Sequence, residues 1–184
     1  ISSDGKNIHV FTRRLEDVTK QFPDIVSFVK EHVNAKKFII DAEAVGYDFK
    51  TGKYLPFESV SQRIKRKYDI DELAKKLPVE LNVFDVLYLD GDSVVELPFK
   101  ERRKLVEKII EEVPKKIRIS TQLITSDEKE AEKFYRGALK IGEEGVMIKN
   151  LNSAYVAGRY VGTRQRRHWP APVHRYPSTL ASKH

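Results

Sequence analysis

The sequence contains no cysteine, one methionine and one tryptophan among its 184 residues. The absence of cysteine excludes disulfide bonds and thiolate metal sites, and it is typical of proteins in a reducing compartment. No apolar run reaches the length needed to cross a membrane, and no signal-peptide pattern is present. We therefore expect a globular protein with no membrane partner.

Acidic residues are missing from the last part of the chain. The net charge is +7, yet residues 1–144 contain equal numbers of basic and acidic side chains. The last acidic residue is Glu144, and seven basic residues follow it. A basic segment favours nucleic acid through contacts to phosphates, although a solvated tail can have the same composition.

Short apolar strands alternate with amphipathic helices along the chain. A strand is predicted from Phe38 into the acids Asp41 and Glu43, and residues 79–89 predict another, which is closed by the turn dipeptide Asp90-Gly91. Pro23 predicts the start of a helix because apolar residues recur after it at helical spacing. Several strand pairs look antiparallel. The pattern predicts an α+β fold in which antiparallel sheets are flanked by helices.

Other local signals add to this outline. Helices are predicted from Phe57 and from Pro98, and Thr125 with Glu128 predicts a capping box for a third. Ile117 and Ile119 predict a short strand. The basic cluster Arg63–Lys67 is a candidate nucleic-acid face, although charge runs on helices are usually solvated.

Two acids stand in the stretch FIIDAEAVGYD, residues 38–48. Alternation with period two places Asp41 and Glu43 on one face, with Ala42 and Ala44 on the other. Carboxylates beside a buried apolar run are costly unless they meet a cation, a hydrogen-bond donor or a ligand. The pattern indicates a site, although a strand that ends at the protein surface would explain it equally well.

Four stretches carry a further signal: FTRRLEDVT, FIIDAEAVGYD, LNVFDVLYLDG and EEGVMIK, with LPFKERR before the last. Together they resemble the adenylation domain of ATP-dependent DNA ligases of the archaeal and eukaryotic replicative type. The resemblance implies an ATP-grasp-like nucleotidyltransferase domain over residues 1–162, incomplete at both ends and without the strand that carries the nucleophile. It implies that ATP and Mg²⁺ are cofactors and that nicked double-stranded DNA is the substrate. A sliding clamp would be a partner through regions outside the sequence. The location would be the cytoplasm in an archaeon or the nucleus in a eukaryote.

The resemblance also assigns roles to residues. Arg13, Glu43, Phe84 and Lys149 match nucleotide-contacting positions, with Phe84 stacking on adenine and Lys149 near the phosphates. Glu43 and Glu144 match the metal-binding acids. The family reaction transfers AMP from ATP to a lysine and then to the 5′-phosphate of a nick, before the 3′-hydroxyl attacks.

Two departures from the family pattern stand out. No lysine-any-Asp-Gly motif is present, so we expect the nucleophilic lysine to precede Ile1 and this chain to be unable to adenylate itself. Trp169 is followed by Pro170-Ala171-Pro172 instead of alternating lysines. We expect residues 163–184 to be an irregular tail, non-native or disordered. The alternatives are an RNA ligase or capping-type nucleotidyltransferase, and a non-catalytic nucleic-acid-binding fragment.

Overall fold

The computed structural model of the protein describes residues 1–66, 68–141, 143, 145–157, 163–166 and 178–183, with the last two stretches and Phe57 described by their backbone alone. The chain divides into two compact units. The first unit comprises Ile1–Val94 and Arg103–Ile119, and the second comprises Val95–Arg102 and Ser120–His184. Each unit has its own β-sheet.

The sheet of the first unit has six strands. They are β1 (Ser2–Asp4), β2 (Ile8–His9), β3 (Lys37–Gly46), β4 (Val79–Leu89), β5 (Asp92–Ser93) and β6 (Ile117–Ile119). Their order is β2-β1-β3-β4-β5, and β6 also pairs with β4. Among the described strand pairs of this sheet, β4–β6 is parallel and the others are antiparallel. The predicted turn between β4 and β5 is confirmed, because Asp90 and Gly91 both have positive φ, as such hairpins require.

Helices cover the sheet of the first unit. They are α1 (Pro23–His32), α2 (Phe57–Ile64), α3 (Ile70–Lys76) and the part of α4 (Phe99–Ile109) that begins at Arg103. The core joins apolar residues of the helices to those of the strands, among them Ile25, Val60, Val106, Leu81 and Val83. The predicted helix starts at Pro23, at Phe57 and just after Pro98 are confirmed.

A buried arginine fastens α2 to α1 in the first unit. Arg63 is 1% exposed, and its guanidinium donates to both carboxylate oxygens of Asp24, at 2.7 and 2.6 Å. It also donates to the carbonyls of Gln21 and Leu77, and it lies over the ring of Phe22. Arg63 is therefore a structural residue, and the interpretation of residues 63–67 as one nucleic-acid face is wrong for its first member.

A second polar cluster closes the loop that follows β3. The hydroxyl of Tyr54 donates to the buried carboxylate of Glu80 at 2.6 Å, and the backbone N–H of Lys115 donates to the other oxygen. The Lys115 ammonium lies 3.9 Å from the centre of the Tyr54 ring and donates to the carbonyl of Gly52. Burial and the hydrogen bond to Glu80 raise the pKa of Tyr54 to about 12.

In its described residues, the second unit holds a four-stranded sheet and the helix α5. The strands are β7 (Gln122–Thr125), β8 (Gly145–Asn150), β9 (Thr163–Arg166) and β10 (Ser178–Lys183), in the order β7-β10-β8-β9. Helix α5 (Glu128–Lys140) packs Ala131, Tyr135 and Ala138 against Val146 of β8. The first turn of α4 also belongs to this unit.

Two sequence predictions concern the second unit. The capping box is wrong: Asp127 caps α5 by accepting from the backbone N–H of Lys129, while Thr125 pairs with Glu130. In the segment 163–184, predicted to be irregular, β9 and β10 are strands, and the other residues lie outside the described part. The proposed domain limits stay predictions.

The expected α+β architecture of antiparallel sheets flanked by helices is confirmed. Among the described residues, none of the helices is long and apolar enough to cross a membrane.

Candidate nucleotide site

The two acids of β3 lie on the face of the strand that points away from the core. Ala42 and Ala44 pack against the hydrophobic core of the first unit. Because side chains alternate along a strand, Asp41 and Glu43 point to the opposite face. The predicted alternation is confirmed, and both carboxylates are half-buried.

An irregularity in the strand pairing brings Phe84 beside these acids. Asp41 pairs with Asp85, but the next residue, Ala42, pairs with Val83. Phe84 is thus the extra residue of a β-bulge on β4, directly across from the junction between Asp41 and Ala42. Bulges re-aim side chains and are frequent beside active sites. Phe84 is half-buried, in contrast to the fully buried core residue Val83.

The face of β4 next to Glu43 is polar and buried. Glu43 pairs with Asn82, and Asp41 pairs with Asp85. Asn82 is 7% exposed and Asp85 is 2% exposed, and a carboxylate oxygen of Asp85 accepts from the N–H of Val86. The neighbouring strands therefore concentrate oxygen atoms and negative charge around Glu43, which suits a cation or the hydroxyl groups of a sugar.

Arg13 lies in a tight turn that is fixed by Thr12. The hydroxyl of Thr12 accepts from the N–H groups of Arg14 and Glu16, and its carbonyl accepts from Leu15, whose φ is 63°. The side chains of Arg13, Arg14 and Leu15 are exposed at the tip. Two cations on a rigid turn are suited to bind an anionic group.

In the second unit, Lys149 is buried on β8. It is 8% exposed, and its ammonium lies 4.5 Å from the centre of the Phe99 ring. Val146 packs on α5, so Lys149 projects from the other face of the strand, as the alternation predicts. Glu144, the second predicted metal ligand, lies outside the described residues.

The structure brings Glu43 and Phe84 onto neighbouring strands and places Arg13 in the same unit. Lys149 belongs to the other unit. In the part of the chain that the structure describes, no group of three or more acidic or histidine side chains could hold a metal ion. Sequence reasoning missed Asn82 as a member of the polar face. The sequence signal that could have identified Asn82 is its position in the predicted strand, two residues before Phe84.

Two solved structures with a similar architecture are ligases. A mycobacterial DNA ligase D complexed with ATP and MES superposes with a TM-score of 0.64 at 27% identity, covering 92% of this chain and 50% of that one. The ligase domain of M. tuberculosis LigD has a TM-score of 0.59 at 25% identity, with 88% and 48% covered. The fold is thus that of ligase domains.

The sequence comparison identifies the family. The ATP-dependent DNA ligase domain family matches residues 1–169. The DNA ligase of Nanoarchaeum equitans is 53% identical over 162 residues, 88% of this chain and 29% of the relative. That of Methanopyrus kandleri is 49% identical over 158 residues, 86% of this chain and 28% of the relative. The chain belongs to the ATP-dependent DNA ligase domain family, and it spans under a third of the length of these relatives.

Proposed function

We propose that this chain forms the nucleotide site of a DNA ligase that uses ATP to seal nicks in double-stranded DNA. The observation that carries the proposal is the pairing of β3 with β4, which sets a carboxylate pair beside a half-buried aromatic residue at a bulge. A flat aromatic face suits a purine base, because stacking on such a ring is favourable for every base. The polar atoms around Glu43 suit the ribose and a cation.

Each proposed residue has a distinct task. Phe84 stacks on adenine and Glu43 accepts from the ribose hydroxyls. Arg13, on its rigid turn, and Lys149 neutralise phosphate charge, which stabilises the transition state of phosphoryl transfer. The sequence contains no lysine-any-Asp-Gly motif. We therefore assign these residues to binding the nucleotide and assign the role of nucleophile to none of them.

Mg²⁺ is the proposed metal. No cluster of three acids among the described residues could hold a metal by itself. This agrees with Mg²⁺, which proteins commonly bind through one or two carboxylates together with substrate phosphates and water. Glu43 is the proposed ligand in the first unit, and Glu144 stays a metal ligand predicted from the sequence alone. When bound, the ion would offset the charge that develops on the phosphates during AMP transfer.

A chimeric ligase tests the proposal. The 162-residue segment of the N. equitans enzyme that matches this chain would be replaced by the corresponding residues of this chain. Formation of the protein–AMP adduct and sealing of nicked DNA and nicked RNA duplexes would then be measured. We expect adduct formation and preferential sealing of DNA.

Substitution in the chimera tests the role of Phe84. Loss of a base-stacking aromatic costs about 1–3 kcal/mol, so Phe84→Leu should slow adduct formation about 5- to 150-fold at subsaturating ATP. Phe49→Leu is the matched control, because Phe49 is 79% exposed. A folded chimera that forms no AMP adduct would refute the proposal, and one that seals RNA in preference to DNA would support the RNA ligase alternative.

A further inference from the structure

The LPFKERR segment, residues 97–103, has no role in the site described above, although its aromatic and one of its arginines are buried. Phe99 is 3% exposed and Arg102 is 2% exposed. Both lie in the first turn of α4 and belong to the second unit, as does Lys149. A buried arginine needs hydrogen-bond partners to offset the loss of its hydration. The identity of those partners shows what the segment does.

The first turn of α4 is fastened to the backbone that follows β8. The N–H groups of Phe99 and Lys100 donate to the carbonyls of Ser153 and Leu151, each at 2.9 Å. The guanidinium of Arg102 donates to the carbonyl of Ser153 at 3.3 Å and to that of Leu97. These bonds fix the helix start relative to the end of β8, the strand that carries Lys149.

The Lys149 ammonium lies over the face of the Phe99 ring. The lysine nitrogen is 4.5 Å from the centre of the ring. The guanidinium carbon of Arg102 is 5.6 Å from the same ring and 5.8 Å from the ring of Tyr155. All three distances are within the range of cation–π attraction. An aromatic face orients an ammonium group and adds no counter-charge of its own.

We propose that Phe99 and Arg102 are positioning residues that hold the Lys149 ammonium where nucleotide phosphates bind. The inference rests on the proposed function, which places Lys149 at the phosphates. Phe99 supplies the aromatic face. Arg102 fixes that face by bonding to the backbone after β8. The contact with Phe99 therefore raises the affinity of the site for the phosphates and leaves its affinity for the nucleoside unchanged.

Calorimetric titration of this chain with ATP and, separately, with adenosine tests the inference. Lys149→Met should weaken ATP binding by about tenfold or more and leave adenosine binding within about twofold, as expected for loss of a charged contact. Lys140→Met is the matched control, because Lys140 is exposed on α5. Replacing Phe99 with a multiply fluorinated phenylalanine keeps the shape of the ring but removes the negative potential of its face.

The fluorinated residue should weaken ATP binding about fivefold to thirtyfold and leave adenosine binding unchanged, which is the range of buried cation–π attraction. Phe99→Tyr should bind ATP like the unsubstituted chain. Combined with Lys149→Met, the fluorinated residue should add nothing further, because the two side chains act through one contact. A thermal melt of each variant would confirm that it is folded.

Two negative outcomes are distinguishable. If Lys149→Met weakens ATP binding but the fluorinated residue does not, the positioning role of Phe99 is refuted and the proposed function stands. If ATP does not bind, or if Lys149→Met leaves its affinity unchanged, the placement of Lys149 at the phosphates fails, and the inference fails with it.

Discussion

Replacing Arg63 with methionine should destabilise the first unit far more than replacing any of its basic neighbours. Arg63 is 1% exposed and donates four hydrogen bonds, two to Asp24 and two to backbone carbonyls. Methionine fills a similar volume but leaves the carboxylate of Asp24, whose side chain is 18% exposed, without its cation. Breaking a buried ion pair on one side costs about 3–5 kcal/mol of the free energy of unfolding.

Thermal unfolding followed by circular dichroism measures this loss. For a chain of this length each kcal/mol corresponds to a shift of about 2–4 °C in Tm, so Arg63→Met should lower Tm by about 6–20 °C. Arg66→Met is the matched control. Arg66 is half exposed and pairs with Asp69 at 3.2 Å, and such surface pairs contribute about 0–1 kcal/mol. Equal shifts in the two variants would refute the structural role of Arg63.

Two further predictions concern the end of β3 and the loop after it. Tyr54→Phe should destabilise the chain by about 1–3 kcal/mol at neutral pH, because Glu80 loses a donor. The raised pKa of Tyr54 means that its contribution is fully present below pH 10 and lost as the pH rises through about 12, so urea midpoints of the two proteins should converge over that range. Gly46→Ala would place a Cβ 2.6 Å from the hydroxyl of Ser59 and should cost about 1–3 kcal/mol. Ser59→Ala should restore most of that loss in the double variant, and strictly additive free energies of unfolding would contradict the predicted clash.

The strands and helices with strong periodic patterns could be predicted from the sequence. The strand at residues 79–89 has the predicted bounds, and the helix that begins at Pro23 lies where its apolar spacing indicates. These patterns are local, because burial of one face imposes the period on the residues themselves. The alternation around Asp41 and Glu43 was predictable for the same reason.

Features that depend on a distant partner were not predictable. The bulge at Phe84 arises from the register between β3 and β4, and neither strand shows it alone. Arg63 looked like one member of a solvated basic cluster until its partners, as many as 42 residues away along the chain, were known. The N-cap of α5 was missed for a local reason, because Thr125 donates to Glu130 and Asp127 caps the helix instead.

The parallel strand β6 has a consequence for how the protein folds while it is being synthesised. One edge of β4 is covered by β3, which is synthesised earlier. On the other edge, Ile117–Ile119 is the partner that the described residues provide for Leu81–Val83, and the Glu80 carboxylate accepts a hydrogen bond from the N–H of Lys115. A ribosome must therefore add more than 30 residues after Val83 before that edge can be covered. During this interval the chain exposes an apolar edge strand, the kind of surface that recruits chaperones or promotes aggregation.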